Sequence, residues 1–372
     1  MSEYKITINT YGFKCPNCGT DFILRYDTKE FLKIECYNCH SIINVDASEI
    51  GEYNPDPQKV FERGLEEYGL DDYKTARLFF EEAARCNHPM SMYYLGNMYN
   101  YALGGVDKDI AQAYKWYSKA ASMGCEKAMN KLALWNWDGY YIEQNKSKAK
   151  ELFLKAAEKG YVDCMYNLGL LLTENYNYSD EDFETAVYWL NKAGDLGLAI
   201  SYNKVGDLLE KKGDLNAAFE YYLKAAESGA GSGQYNTARF LKYGKIKNGT
   251  FKNVDPEKAF YWAKLSASQY DGLGMYILGS CYQDGVGVDK NTGKAIWWYQ
   301  KASNNNIPIA QLKLGIIYSN GKYIPRDLNK AKYWLKKAYD NGIDEAKKLL
   351  DCLDKELSLI HISEPTRRTP IS

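Results

Sequence analysis

Four cysteines near the start of the chain have the types and spacing to do chemistry. Cys15 and Cys18 form one CxxC pair, Cys36 and Cys39 a second, and together they read C-x2-C-x17-C-x2-C. A tight turn brings the two thiolates of a pair onto one metal, and two such turns complete the tetrahedron that Zn2+ takes with sulfur ligands. Gly19 follows the first pair, where the turn calls for positive φ. A piece of this size has too little core to fold without a staple, so a structural Zn2+ on Cys15, Cys18, Cys36 and Cys39 is expected. His40, beside Cys39, is read as a surface residue next to the turn.

The elements that would position these thiols are short strands. KITIN, DFILRY, FLKIE and SIINV alternate apolar and polar residues around CPNCG and CYNCH. Residues 1–50 are therefore expected to form a small β module, and on its CPNC and CYNC knuckles it resembles the zinc-ribbon class. Many members of that class bind nucleic acid, which makes nucleic-acid binding through the ribbon the alternative function for this chain. Its charge argues against this: five basic residues (Lys5, Lys14, Arg25, Lys29, Lys33) meet seven acidic ones (Glu3, Asp21, Asp27, Glu30, Glu35, Asp46, Glu49). Phosphate binding needs clustered Lys and Arg. A structural knuckle or protein-docking cap is favoured.

Catalytic chemistry has little to stand on elsewhere. HExxH, GxSxG, GxxxxGK[ST] and GxGxxG are all absent, and the other histidines are His88, in a turn, and His361, near the end. No cofactor-binding or catalytic residue is nominated, and the protein is expected not to be an enzyme. Cys86, Cys125, Cys164, Cys281 and Cys352 are scattered without regular pairing, which fits reduced thiols. The opening MSEYKITINT lacks a secretory signal, and no run of about 18 apolar residues exists. A cytoplasmic location with no membrane span is expected. The formal charge of −1 provides no global field for nucleic acid or an anionic membrane.

The rest of the chain repeats one pattern. Around Ala76, Ala113, Ala149, Ala186, Ala218, Ala259, Ala295 and Ala331, the position four residues earlier holds Asp72, Asp109, Asn145, Asp182, Asp214, Asp255, Asn291 or Asp327. These are side chains that accept from the free N–H groups of a helix's first turn. A bulky residue follows each alanine by three: Phe79, Trp116, Leu152, Trp189, Tyr221, Trp262, Trp298 and Trp334. It is expected to be the interhelical knob. At plus eleven, Asn87, Gly124, Gly160, Gly197, Gly229, Tyr270, Asn306 and Gly342 supply a left-handed C-terminus. The caps are 37, 36, 37, 32, 41, 36 and 36 residues apart, a period that signals stacked helical repeats. In front of each capped helix lies another, marked by Gly64, Gly96, Ala133, Gly169, Gly206, Ala238, Gly279 or Gly315 at its close approach. The expected fold is thus all-α: about eight αα-hairpin repeats over residues 58–356, behind the β zinc ribbon (1–50) and a linker (51–57).

The stretch Leu278-Gly279-x-x-Tyr282-x-x-Gly285-x-Gly287-Val288, followed by Ala295-x-x-Trp298-Tyr299-x-Lys301-Ala302, resembles the Sel-one-like repeat, a relative of the tetratricopeptide repeat. The resemblance covers about residues 58 to 345. It implies a right-handed superhelical solenoid that acts as a non-catalytic scaffold or adaptor for other proteins. If packing follows the tetratricopeptide plan, the first helix of each hairpin lines a concave groove. The candidate partner-binding residues are then Tyr93, Asn97, Asn100, Asn130, Tyr166, Thr173, Asn203, Asp207, Tyr235, Arg239, Tyr276, Ser280 and Gln283. Tyr and Asn on such a face suit an extended peptide, giving aromatic contact area and amide hydrogen bonds. The sequence identifies neither the partner nor the oligomeric state.

Residues 357–372 break every pattern. LSLIHISEPTR resembles the translated read-through of a transposase-type sequencing adapter, and a disordered tail is the competing reading. The segment is set aside from the fold, which leaves open whether the native chain extends beyond about Glu356.

Overall fold

The computed structural model describes residues 13–14, 19, 21–22, 32–35, 42–45, 56–174, 178–246, 249–250, 253–322 and 324–363. The chain divides into two compact units, Met1–Phe183 and Glu184–Ser372.

In the first unit, β1 (Phe13–Lys14) pairs antiparallel with β2 (Asp21–Phe22), and β3 (Leu32–Glu35) with β4 (Ile42–Val45). The first CxxC falls between β1 and β2 and the second between β3 and β4, but Cys15, Cys18, Cys36 and Cys39 themselves lie outside the described residues. Gly19 has φ +74°. Then come α1 (Pro57–Gly69) with α2 (Tyr73–Arg85), α3 (Pro89–Tyr101) with α4 (Ile110–Ser122), α5 (Glu126–Asp138) with α6 (Lys146–Glu158), and α7 (Val162–Leu172). The break between units falls inside α8 (Asp180–Asp195). The second unit continues with α9 (Ile200–Lys212) and α10 (Leu215–Glu227), α11 (Gly231–Tyr243) and α12 (Pro256–Ser268), α13 (Gly272–Asp284) and α14 (Thr292–Asn304), α15 (Pro308–Asn320) and α16 (Leu328–Asp340), and α17 (Asp344–Ser363). The fold class is the expected one, all-α hairpins stacked within each unit.

Why these residues form these helices is visible at both ends. The side chains of Asp72, Asp109, Asn145, Asp214, Asp255, Asn291 and Asp327 each accept from the backbone N–H three residues on. The same residues also use their own N–H groups. Asp109 N donates to Tyr99 O, Asn145 N to Asn136 O, Asp214 N to Leu209 O and Asn291 N to Tyr282 O, at 2.7–3.0 Å. In each case the acceptor stands three residues after the hairpin glycine or alanine. One residue therefore starts the second helix and ties it to the end of the first. All eight plus-eleven residues have positive φ, including Tyr270 at 61°.

Four details differ from the sequence expectation. Asp182 does not cap α8; Ser179 does, its Oγ accepting from Asp182 N at 3.1 Å while donating to Asp182 Oδ2 at 2.9 Å. This reciprocal arrangement is like a capping box, except that the acid at the third position accepts from the cap's hydroxyl. Helix α1 begins at Pro57 rather than Gln58, because proline's missing N–H costs nothing in a first turn and Asp56 caps it. The loop before Asp255 carries a two-residue antiparallel pairing, β5 (Lys245–Ile246) with β6 (Gly249–Thr250). Helix α17 runs to Ser363, seven residues into the segment set aside at the C-terminus.

The hairpin core also turns on a different residue. The side chain four after the origin alanine, not three, is fully buried: Phe80, Tyr117, Phe153, Leu190, Tyr222, Tyr299 and Leu335 are all at most 1% exposed. A Cβ on Gly96 would lie 2.5 Å from the Tyr117 ring, and one on Gly206 2.6 Å from Tyr222. In the sixth repeat, alanine replaces the glycine (Ala238) and Ala263 occupies the facing position in the same cluster, so the methyl added on the first helix meets a small side chain instead of a ring. Of the plus-three tryptophans, Trp189 is buried while Trp116, Trp262, Trp298 and Trp334 are partly buried, and Trp262 packs against a cluster that includes Ala218 and Tyr222 of the preceding repeat.

Candidate partner-binding face

Within the second unit, α11 touches α9 and α13 as well as its hairpin partner, whereas α10, α12, α14 and α16 do not crowd against one another. In the second unit the first helices α9, α11 and α13 therefore touch in series, which gives an inner side, and the second helices lie on the other, outer side. The candidate residues lie on the first helices of the hairpins, at positions three before, one after and four after the close-approach residue.

On α3 this spacing gives Tyr93, Asn97 and Asn100 one helical face. The Tyr93 ring stands 5.6 Å from Tyr94 and 5.9 Å from Tyr117. Tyr117 passes beside Gly96 and donates its hydroxyl to Asn97 Oδ1 at 2.8 Å. Burial raises that phenol well above its ordinary pKa, so the group acts as a hydrogen-bond donor and not as an acid. Asn100 is 7% exposed, and its Oδ1 has no hydrogen-bond partner. On α5 and α7, Asn130 Oδ1 accepts from Asn167 Nδ2 at 3.0 Å and from Cys164 Sγ at 3.4 Å. Tyr166 is partly buried on the same helix as Cys164. Thr173 is turned inward, its hydroxyl donating to Gly169 O at 2.7 Å, so it serves its own helix.

The second unit brings its candidates into one network. Asn236 Nδ2 donates to Asn203 Oδ1 at 3.0 Å, and Arg239 Nε donates to Asn236 Oδ1 at 3.2 Å. The Arg239 guanidinium also forks onto Glu210, at 3.0 and 2.5 Å. Tyr222 reaches past Gly206 to Asp207 Oδ1 at 2.9 Å and Glu210 Oε2 at 2.8 Å. A phenol has one proton for these two carboxylates, and burial pushes the Asp207 carboxyl above the usual range. Further along, Tyr243 and Ser280 share a hydrogen bond at 2.9 Å, and Lys242 bridges to Asp284 at 2.6 Å. Tyr299 donates to Gln283 Oε1 at 2.6 Å, with the Tyr276 ring 5.8 Å from that of Tyr299. Tyr235 and Tyr276 remain partly exposed.

Tyr117, Tyr222, Tyr299, Asn236 and Tyr243 were not nominated from sequence, yet they complete the face. The signal for the first three is a tyrosine four residues after the origin alanine, opposite a glycine. Among the described residues no group of three or more His, Cys, Asp or Glu is placed to hold a metal, and no helix is long and apolar enough to cross a membrane. Cys86, Cys125, Cys164, Cys281 and Cys352 are free thiols.

Comparison with known proteins follows the same boundaries. The family model described as Sel1 repeat matches residues 61–88, 89–125, 126–161, 162–198, 201–229, 231–271, 272–307 and 308–343. The chitin synthase regulator SKT5 of Saccharomyces cerevisiae is 29% identical over 208 residues, which cover 52% of this chain and 29% of that protein. The chain thus spans less than a third of that relative. A protective antigen of uropathogenic Escherichia coli with an SLR fold superposes with a TM-score of 0.66 at 26% identity, covering 83% of this chain and 66% of its own. A Sel1 repeat protein from Oxalobacter formigenes gives 0.62 at 26% identity, covering 80% and 87%.

Proposed function

The chain belongs to the Sel1 repeat family, and on that premise we propose that it is a non-catalytic adaptor whose inner helix faces hold an extended segment of a partner protein. Similarity to a named chitin synthase regulator supports a regulatory adaptor. The observation that carries the reading is hydrogen-bonding capacity left over on a rigid inner face. The Gln283 amide, which accepts from Tyr299, has no acceptor for its own N–H groups among the described residues, and Asn100, whose Oδ1 is buried without a partner, would serve one by turning outward. Partly exposed tyrosines stand beside them at Tyr93 and Tyr276. An extended peptide presents N–H and C=O groups in alternation and suits amides flanked by rings. Capture of partners from the native host by the wild-type chain and by Tyr166→Ala/Tyr276→Ala tests this. Loss of the captured protein from the variant is expected, and equal capture by both would remove these faces from the function.

We further propose that Cys15, Cys18, Cys36 and Cys39 hold one structural Zn2+ in a ribbon serving as an N-terminal cap or second docking site. The support is the ligand spacing and the two antiparallel pairings that bracket the CxxC turns. Stoichiometric zinc in the purified protein is expected. A metal-free preparation in which Cys36→Ser leaves folding unchanged would end this reading. The scattered free thiols support a reducing, cytoplasmic setting.

A further inference from the structure

The formal charge of −1 conceals a segregated distribution. On the outer side of the second unit, α12 carries Lys258 and Lys264, α14 carries Lys294 and Lys301, and α16 carries four lysines within LNKAKYWLKKAYD. Glu257 and Asp340 are the acids on these three helices. Of the first helices, α13 and α15 carry one charge each, Asp284 and Lys313, while α11 carries Arg239 and Lys242, which are paired with Glu210 and Asp284.

Each outer helix also presents an exposed ring at the same place in its repeat: Tyr261 (58% exposed), Trp297 (49%) and Tyr333 (52%). Behind each stands a partly buried tryptophan at a steep angle, with ring centroids 4.6–5.1 Å apart. All but Lys332, which is next to Tyr333 and bridges to Asp354 at 2.6 Å, lie three or four residues from the exposed ring of their helix. Lys264, Lys294, Lys301, Lys336 and Lys337 make no ion pair among the described residues, while Lys258 and Lys330 bridge only to the cap carboxylates of their own helices, at 3.4 and 3.3 Å. Lys301 Nζ lies 5.3 Å from the centroid of Trp297, and Lys337 Nζ 5.1 Å from that of Tyr333.

We propose that the outer face of α12, α14 and α16 docks on an anionic lipid surface. Rings with a polar tip, flanked by long basic side chains that keep their stems along apolar surface and their heads in water, are what a headgroup layer accommodates. A soluble polyanion such as single-stranded nucleic acid would instead stack on open ring faces. Here two of the three exposed rings have an ammonium group over the face, which leaves their edges and tips outward. The three helices follow one another at one register, so each ring with the lysines of its own helix offers one point of contact, and the three points can meet separate headgroups.

This inference stands apart from partner binding on the inner face. It is tested by sedimenting the full chain with phosphatidylcholine vesicles and with vesicles of phosphatidylcholine and phosphatidylserine in equal parts. Retention on the anionic vesicles is expected to exceed that on the neutral ones by about tenfold and to fall as salt is raised from about 0.1 to 1 M. Lys264→Glu/Lys301→Glu/Lys336→Glu should abolish it while preserving the helical circular dichroism. Trp297→Ser, a milder change on an exposed ring, should lower it severalfold. Equal retention on both vesicle types, or retention by the triple variant equal to wild type, would overturn the proposal. So would capture on poly(U) RNA without any vesicle binding, which would assign the face to a soluble polyanion.

Discussion

The hairpins α3/α4 and α9/α10 are built on one plan and differ in what they do with one hydroxyl. In both, a tyrosine from the second helix passes a glycine of the first and emerges on the inner face. Tyr117 gives its proton to a neutral amide, Asn97, and leaves Asn100 Oδ1 without a donor. Tyr222 meets two carboxylates, one of them locked by Arg239, so the groups one and four residues after its glycine are both engaged. The contrast teaches that packing geometry and surface chemistry are separable in this repeat. The glycine–ring contact sets where the hydroxyl arrives; the residues one and four positions after the glycine decide whether the face is spent internally or kept for a partner.

The largest expected effect tests the shared half of the comparison. Gly96→Ala and Gly206→Ala should each lose about 2 kcal/mol in urea unfolding, since a ring fixed at both ends cannot yield to a new Cβ. Losses differing by more than about 1 kcal/mol would mean the plan is not common to both. Next, Tyr222→Phe should cost about 2 kcal/mol and Tyr117→Phe about 1, because the first removes a hydrogen bond to charged acceptors. Equal losses would dissolve the distinction.

The carboxylate hairpin should also carry a pH dependence that its counterpart lacks. Burial raises the Asp207 carboxyl, so the native state holds that proton more tightly than the unfolded chain, and stability falls as pH rises from the ordinary aspartate range through the raised native pKa. Asp207→Asn, with no proton to lose, should therefore be most stabilising relative to wild type at neutral pH, the gain shrinking toward pH 4. A gain independent of pH would remove the buried acid from the account. The smallest change is expected at Asn100→Leu, within about 1 kcal/mol of wild type in stability, because no internal hydrogen bond is lost. A larger loss would show that the amide is structural.

The repeat was legible because its determinants are local. A cap acceptor four residues before an alanine and a left-handed residue eleven after it lie within a single helix, and seven of eight caps and all eight positive-φ positions follow the pattern. Ser179 escaped because its cap reads the same as a capping Asp182 until backbone geometry is known. Taking Trp298 rather than Tyr299 as the knob was a rotation of one residue; both lie near the buried arc, and only the facing Gly279 distinguishes them. The inner network was illegible for another reason. Asn203 meets Asn236 and Glu210 meets Arg239 across 33 and 29 residues, and those meetings depend on how successive hairpins register.

The double duty of the cap residue has a consequence for how such a chain can change. Because Asp109, Asp214 and Asn291 each fasten the second helix to the same place on the first, the chain between is closed off like a side loop on a railway line, and its length does not reach the main track. The connection is one residue, Gly213, before Asp214 and eleven residues before Asp255, yet both cap residues donate to the carbonyl three positions beyond the close-approach residue, Leu209 and Leu241, at 3.0 Å. Insertions there are free to accumulate new surface without disturbing the stack, which makes these connections the places where one family member can diverge from another at little structural cost.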